Sequence, residues 1–134
     1  TREGDTYPTL NDRVVMANAQ KDAVFLSVHV NKATAGQPPQ EGCEIIISEK
    51  SVQAAESRKL ASAVSSMLTT DGIGTQLRQQ GLHVLKANNH PAIAIECGTV
   101  ESTTDMQRLK DDARLEAMCR NILAGIVAYA GTAR

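Results

Sequence analysis

The chain has 134 residues, enough for one domain that buries its core without disulfide or metal staples. Apolar residues make up 42% of it and aromatics only 2%, so the interior must be packed with aliphatic side chains, and few rings are left to stack on bases or sugars. With 14 basic and 15 acidic residues spread along the chain and a net charge of -1, the electrostatic footprint of a nucleic-acid binder is absent.

Thr9 is a plausible N-cap, and Leu10, Val14 and Ala17 follow at helical spacing, which predicts a short helix ending near Gln20 or Lys21. Val24 to Val30 is β-rich and almost continuously apolar, the pattern of a strand covered on both faces, and its last residues include His29. Residues 31–42 hold Gly36, Pro38, Pro39 and Gly42 and read as a surface loop. Cys43 to Ser48 is a second strand. From about Ser51 the period changes, and Leu60, Val64, Met67 and Leu68 form one helical stripe that stops before Gly72. A shorter helical piece is expected over Thr75 to Gln80, then a brief strand-like apolar run at Leu82 to Leu85. Ala92 to Glu96, preceded by Pro91, is a further buried strand that ends on a carboxylate. Thr104 opens a final helix with Gln107 completing a capping box, and Leu109, Leu115, Met118, Ile122, Ile126 and Tyr129 share one broad face.

Strands alternating with helices predict an α/β domain over residues 1–134, with a mostly parallel twisted sheet flanked by helices on both faces. Ligands of such sheets sit outside the carboxyl ends of the strands, where His29 and Glu96 both fall. Either residue alone has an ordinary structural reading, as a hydrogen-bonded imidazole or a helix-capping carboxylate. Together they are the minimum for metal-assisted hydrolysis: a neutral nitrogen for zinc and a carboxylate to carry a proton. No apolar run approaches the ~20 residues that span a bilayer, so the chain reads as soluble and not transmembrane. It begins at Thr1 rather than Met, as a processed product or an excised piece would, and shows no signal peptide. Cys43, Cys97 and Cys119 are odd in number and lack CxxC spacing, and are expected to be free thiols, two in strands and one on a helix.

Read in order, "TREGD" at Thr1 to Asp5, "RVVMAN" at Arg13 to Asn18, "FLSVHVN" at Phe25 to Asn31, "GCEIII" at Gly42 to Ile47, "LHVLKANNHPAIAIECGTVESTTDMQRL" at Leu82 to Leu109 and "ILAGIVAY" at Ile122 to Tyr129 resemble the zinc-dependent N-acetylmuramoyl-L-alanine amidases. These cell-wall hydrolases cut between glycan and stem peptide in peptidoglycan. The resemblance implies that His29 is a metal ligand for zinc and Glu96 the catalytic carboxylate, with Asn31 and Arg13 in supporting or structural positions. It implies peptidoglycan or a muropeptide as substrate, and a periplasmic or extracellular location.

Two features depart from the family's pattern. Two further zinc ligands, a histidine in a Gly-rich turn and a glutamate on the helix after it, belong upstream of the segment where this chain starts. The sheet is therefore expected to be incomplete at its N-terminus, the chain being the C-terminal portion of the catalytic domain, with the rest present as an N-terminal fragment or removed. His83 and His90 are expected to be structural rather than replacement ligands. After Gly98, Thr99, Val100, Glu101 and Ser102 stand where the family has an aromatic and then a Ser-Asn pair. A non-catalytic peptidoglycan-binding module of the same fold is the alternative, and a ligand-free partner protein using the 31–42 loop a third.

Overall fold

A computed structural model describes residues 2–132; Thr1, the first residue of the "TREGD" segment, lies outside the described residues. The elements in order are α1 (Leu10–Asn18), β1 (Phe25–Asn31), β2 (Cys43–Ile47), α2 (Ala54–Thr70), β3 (Thr75–Gln79), α3 (His83–Lys86), β4 (Ala92–Thr99), α4 (Thr103–Lys110) and α5 (Asp112–Thr132). The four strands form one sheet in the order β1-β4-β2-β3. β1 runs parallel to β4 and β2 to β3, while β2 is antiparallel to β4, so two of three pairings are parallel.

The period of two along each strand sorts side chains onto two faces. Ile45, Ile47, Ile93 and Ile95 point into the main core, where they meet Leu60, Val64 and Leu68 of α2 and Met118, Ile122 and Tyr129 of α5. On the other face Ile46, Ala92 and Ala94 pack with Val14 of α1 and Val84 and Leu85 of α3. Helices therefore cover both faces, as the sequence predicts. Cys43 and Cys97 are buried free thiols on the main-core side, and burial pushes them up, to about 11 and about 12. Cys119 is a free, exposed thiol on α5.

α2 and α5 meet at Gly125. A Cβ there would lie 2.5 Å from Val64 Cα and 2.8 Å from Val64 N, both backbone atoms that cannot swing aside. Gly125→Ala is expected to destabilise the fold by about 1–3 kcal/mol through overpacking, outweighing alanine's better helix propensity. Urea unfolding checks this, and a neutral result would mean that the helices part freely.

Four expectations fail for physical reasons. Thr75–Gln79 is strand β3, not a helix: five residues are too few to nucleate a stable helix, and parallel pairing with β2 overrides the propensity of Leu, Arg and Gln. Leu82 to Leu85 belongs to short helix α3 and its entry, because burying both Val84 and Leu85 against the sheet needs a helical turn. β1 is not covered on both faces; it is an edge strand whose Val28 and Val30 are 58% and 47% exposed. The last helix is two helices. Ser102, not Thr104, caps α4 by accepting from Asp105 N–H at 3.1 Å, and Asp111 breaks the run in an extended conformation. Asp111 Oδ1 then accepts from Arg114 N–H in the first turn of α5.

Candidate active site

At one rim the second sheet face changes character. Moving outward, Ile46 gives way to Glu44 on β2, Ala94 to Glu96 on β4, and Phe25 to Ser27 and His29 on β1, each step being two residues along a strand. At this level His29 is exposed, Glu96 half-buried and Glu44 buried. The register sets His29 beside Glu96 and Glu96 opposite Glu44, one row across three neighbouring strands. His29 and Glu96 lie in the C-terminal halves of β1 and β4; contrary to the expectation from sequence, Glu96 does not end its strand, because β4 continues through the bulge to Thr99 and pairs there with Asn31. β2, running the other way, brings its start to the same rim. Both residues singled out from the sequence are thus adjacent, roughly 5 Å apart at the backbone.

His29 is exposed, and its Nε2 lies 2.6 Å from Ser27 Oγ, two residues back on the same face. In the tautomer whose Nε2–H donates to that hydroxyl, Nδ1 keeps its lone pair for a cation. Glu96 is partly buried, and its Oε2 has no hydrogen-bond partner among the described residues. Burial raises its proton affinity, His29 opposes this, and Glu44 adds to it. Glu44 is 8% exposed and is held by Arg78, whose Nη1 lies 3.2 Å from its Oε2. Arg78 stands on β3, beside Ile46 and on the same face as Glu44.

Directly after Glu96 the ladder slips: β1 takes two steps from His29 to Asn31 where β4 takes three from Glu96 to Thr99. Gly98 sits in this bulge at φ 152°, and a Cβ on it would lie 2.8 Å from Asp105 Cβ. Bulges of this kind bend a strand and re-aim its side chains beside active sites. Asp105, fully buried, fixes the bend by accepting from Thr99 N–H at 3.0 Å and from Gly42 N–H at 3.0 Å. Arg108 joins Asp105 Oδ1 at 2.7 Å and also donates to Cys97 O at 3.1 Å. One carboxylate thereby clamps the ends of both strands that carry Glu96 and Glu44.

Between α1, β1 and the start of α3 lies a cleft of about 520 Å³, lined among others by Arg13, Ser27, His29, Leu82 and His83. Glu96 is not among its lining residues. Asn31 serves the backbone: its O accepts from Val100 N–H and its Oδ1 from Lys32 N–H. His83 is exposed at the start of α3 and shares the cleft with His29, and His90 Nε2 lies 3.1 Å from Ala17 O. Among the described residues no three histidine, cysteine or carboxylate side chains converge, so they offer at most a partial donor set for a metal ion. Glu44 and Arg78 were missed from the sequence. The signal for Glu44, a lone carboxylate inside "CEIII", was present; Arg78 was hidden by the helical reading of its segment.

The chain is 26% identical over 132 residues to the N-acetylmuramoyl-L-alanine amidase LytC of Bacillus subtilis, and 26% identical over 129 residues to the probable cell wall amidase LytH of Staphylococcus saprophyticus. Each alignment takes in 96% of this chain but only 26% of LytC and 41% of LytH, so the chain spans less than half the length of either. The crystal structure of N-acetylmuramoyl-L-alanine amidase from Clostridium difficile 630 superposes with a TM-score of 0.84 at 27% identity, covering 98% of this chain and 70% of that one. AmiC2 of Nostoc punctiforme, also an N-acetylmuramoyl-L-alanine amidase, gives 0.83 at 25%, covering 98% and 71%. The family described as N-acetylmuramoyl-L-alanine amidase matches residues 1–128, and the chain belongs to it.

Proposed function

We propose that the chain is the C-terminal portion of a zinc-dependent amidase domain that hydrolyses the amide between N-acetylmuramic acid and L-alanine in peptidoglycan. The single observation that carries this reading is the register pairing of His29 with Glu96 at an open rim. His29 would supply one metal ligand, its ring oriented by Ser27. Zinc, when bound, would polarise the lactyl carbonyl and make the attacking water more acidic. The described residues do not hold it unaided, so the remaining ligands are assigned to a segment preceding Thr1. The unpaired outer edge of β1, with Val28 and Val30 exposed, and the solved amidase of which this chain covers 70% both support such a segment.

Glu96 would act as base and then acid: it takes the proton of the attacking water as the oxygen bonds to the carbonyl carbon, and delivers it to the alanine nitrogen as the C–N bond breaks. A carboxylate whose proton affinity is raised by burial is suited to both halves of that exchange near neutral pH. The relatives named as cell wall amidases support a periplasmic or extracellular location. Among the described residues no helix is long and apolar enough to cross a membrane.

A second reading, a wall-binding module that does not cut, is favoured by the partial donor set. Two measurements separate them. The parent protein, loaded with zinc, is expected to release stem peptides with a new alanine amino terminus from purified cell wall. Isothermal titration of the 134-residue chain with a muropeptide, with and without zinc, is expected to show weak binding that the metal changes little. Tight binding together with no release by the parent protein would sink the amidase reading in favour of the module.

A further inference from the structure

The row of ionisable groups does not end at Glu96. Glu44 is a largely buried carboxylate set opposite another carboxylate, an arrangement that costs stability unless a cation offsets it. Among the described residues its cationic partner is Arg78, whose side chain is 55% exposed against 10% for Glu44. Arg78 touches Glu44 through Nη1 alone, at 3.2 and 3.4 Å from the two carboxylate oxygens. Among the described residues the rest of the guanidinium makes no hydrogen bond, and Arg78 is held on strand β3 rather than on a loop. A fork braced by a buried carboxylate, with its remaining donors unused, is suited to accept a planar anion such as a carboxylate.

Distance supports the same assignment. Arg78 reaches from β3 over to Glu44 on β2, so its head lies one to two strand spacings from Glu96, roughly 5–10 Å. An extended peptide advances roughly 3.3–3.6 Å per residue, which places a group on the residue after the scissile alanine roughly 7 Å from the scissile nitrogen. We propose that Arg78, braced by Glu44, forms a carboxylate-binding subsite that takes the free carboxylate of the stem-peptide residue following the alanine. The subsite presupposes the amidase reading of His29 and Glu96. It makes Arg78 a specificity determinant: stem peptides whose second residue carries an ionised carboxylate are bound, and those with the same group amidated are disfavoured.

The test is isothermal titration of the 134-residue chain with two muramoyl dipeptides that differ only in whether the second residue's α-carboxyl is free or amidated. The free form is expected to bind about tenfold tighter, one charge-assisted contact. Arg78→Gln is expected to erase the difference and Arg78→Lys to keep part of it. Because Arg78→Gln leaves Glu44 buried and unpaired, Glu44→Gln combined with Arg78→Gln removes both charges and is expected to bind the two dipeptides alike. Equal binding by the unaltered chain, or a preference that survives in the double variant, overturns the subsite while leaving the amidase reading standing. Failure of the unaltered chain to bind either dipeptide overturns the subsite too, and stem-peptide release by the zinc-loaded parent protein then decides the amidase reading separately.

Discussion

Glu96→Gln is expected to lower stem-peptide release by the zinc-loaded parent protein by about 10²–10⁴-fold, the range for losing a positioned proton carrier. Glutamine matches the shape of glutamate but takes no proton from water, so the loss should fall on kcat with KM little changed. Stability should move the other way. Burial holds the folded-state proton affinity of Glu96 above its unfolded value, with Glu44 adding to the shift and His29 opposing it. The folded state therefore binds more protons in the window between the ordinary carboxylate range and the raised folded value, and stability falls as pH rises through it. Above that window the cost of the ionised group is fully present, and Glu96→Gln removes it. Thermal melts of the chain at pH 7 should place the variant at or above the parent, with the gap closing on acidification into the ordinary carboxylate range. A variant that loses both stability and activity would mark Glu96 as structural, and one that keeps full activity would end its assignment as the proton carrier.

How much of this was legible without coordinates depends on what each signal encodes. His29 and Glu96 stood out because a single ionisable residue closes an otherwise apolar run, a local feature that survives any sheet order. That they are neighbours was not local: β2, α2, β3 and α3 intervene between β1 and β4, and only the parallel register brings the two strands together. The same dependence explains the misreading of β1. "FLSVHV" has the composition of a central strand, but whether a strand is central is a property of the sheet, and here β1 lies at its edge. Arg78 was lost because "TQLRQ" favours a helix when read alone, and its pairing with β2 is a tertiary effect. Glu44 occupies the second position of a five-residue strand that is buried throughout, where an apolar average conceals one carboxylate. The break between α4 and α5 had a local cue in Asp111, whose side chain caps the following turn, but continuous helical spacing on both sides masked it.

The largest loss of stability is expected at Asp105, which touches no proposed reacting atom. Its Oδ1 accepts from Gly42 N–H and Arg108 Nη2, its Oδ2 accepts from Thr99 N–H, and its own N–H is satisfied by Ser102 Oγ. Asp105→Ala would leave two backbone N–H groups without their acceptor and the Arg108 charge, on a side chain only 12% exposed, without its partner. Breaking a buried ion pair from one side costs about 3–5 kcal/mol, a large share of the stability of an ordinary domain. Urea denaturation of Asp105→Ala, Arg108→Gln and the double variant measures it. Because the double variant removes the stranded charge, it should be less destabilised than the sum of the singles, by about 0.5–3 kcal/mol for groups in contact. Additive losses would mean that the two side chains act independently and that the clamp is not a unit. The site should respond as well: Thr99 and Gly42 lie three and two residues from Glu96 and Glu44, so releasing their N–H groups loosens both carboxylate-bearing strand ends at once. In the parent protein, Arg108→Gln, the milder single change, is therefore expected to lower kcat under conditions where the fold remains intact by circular dichroism.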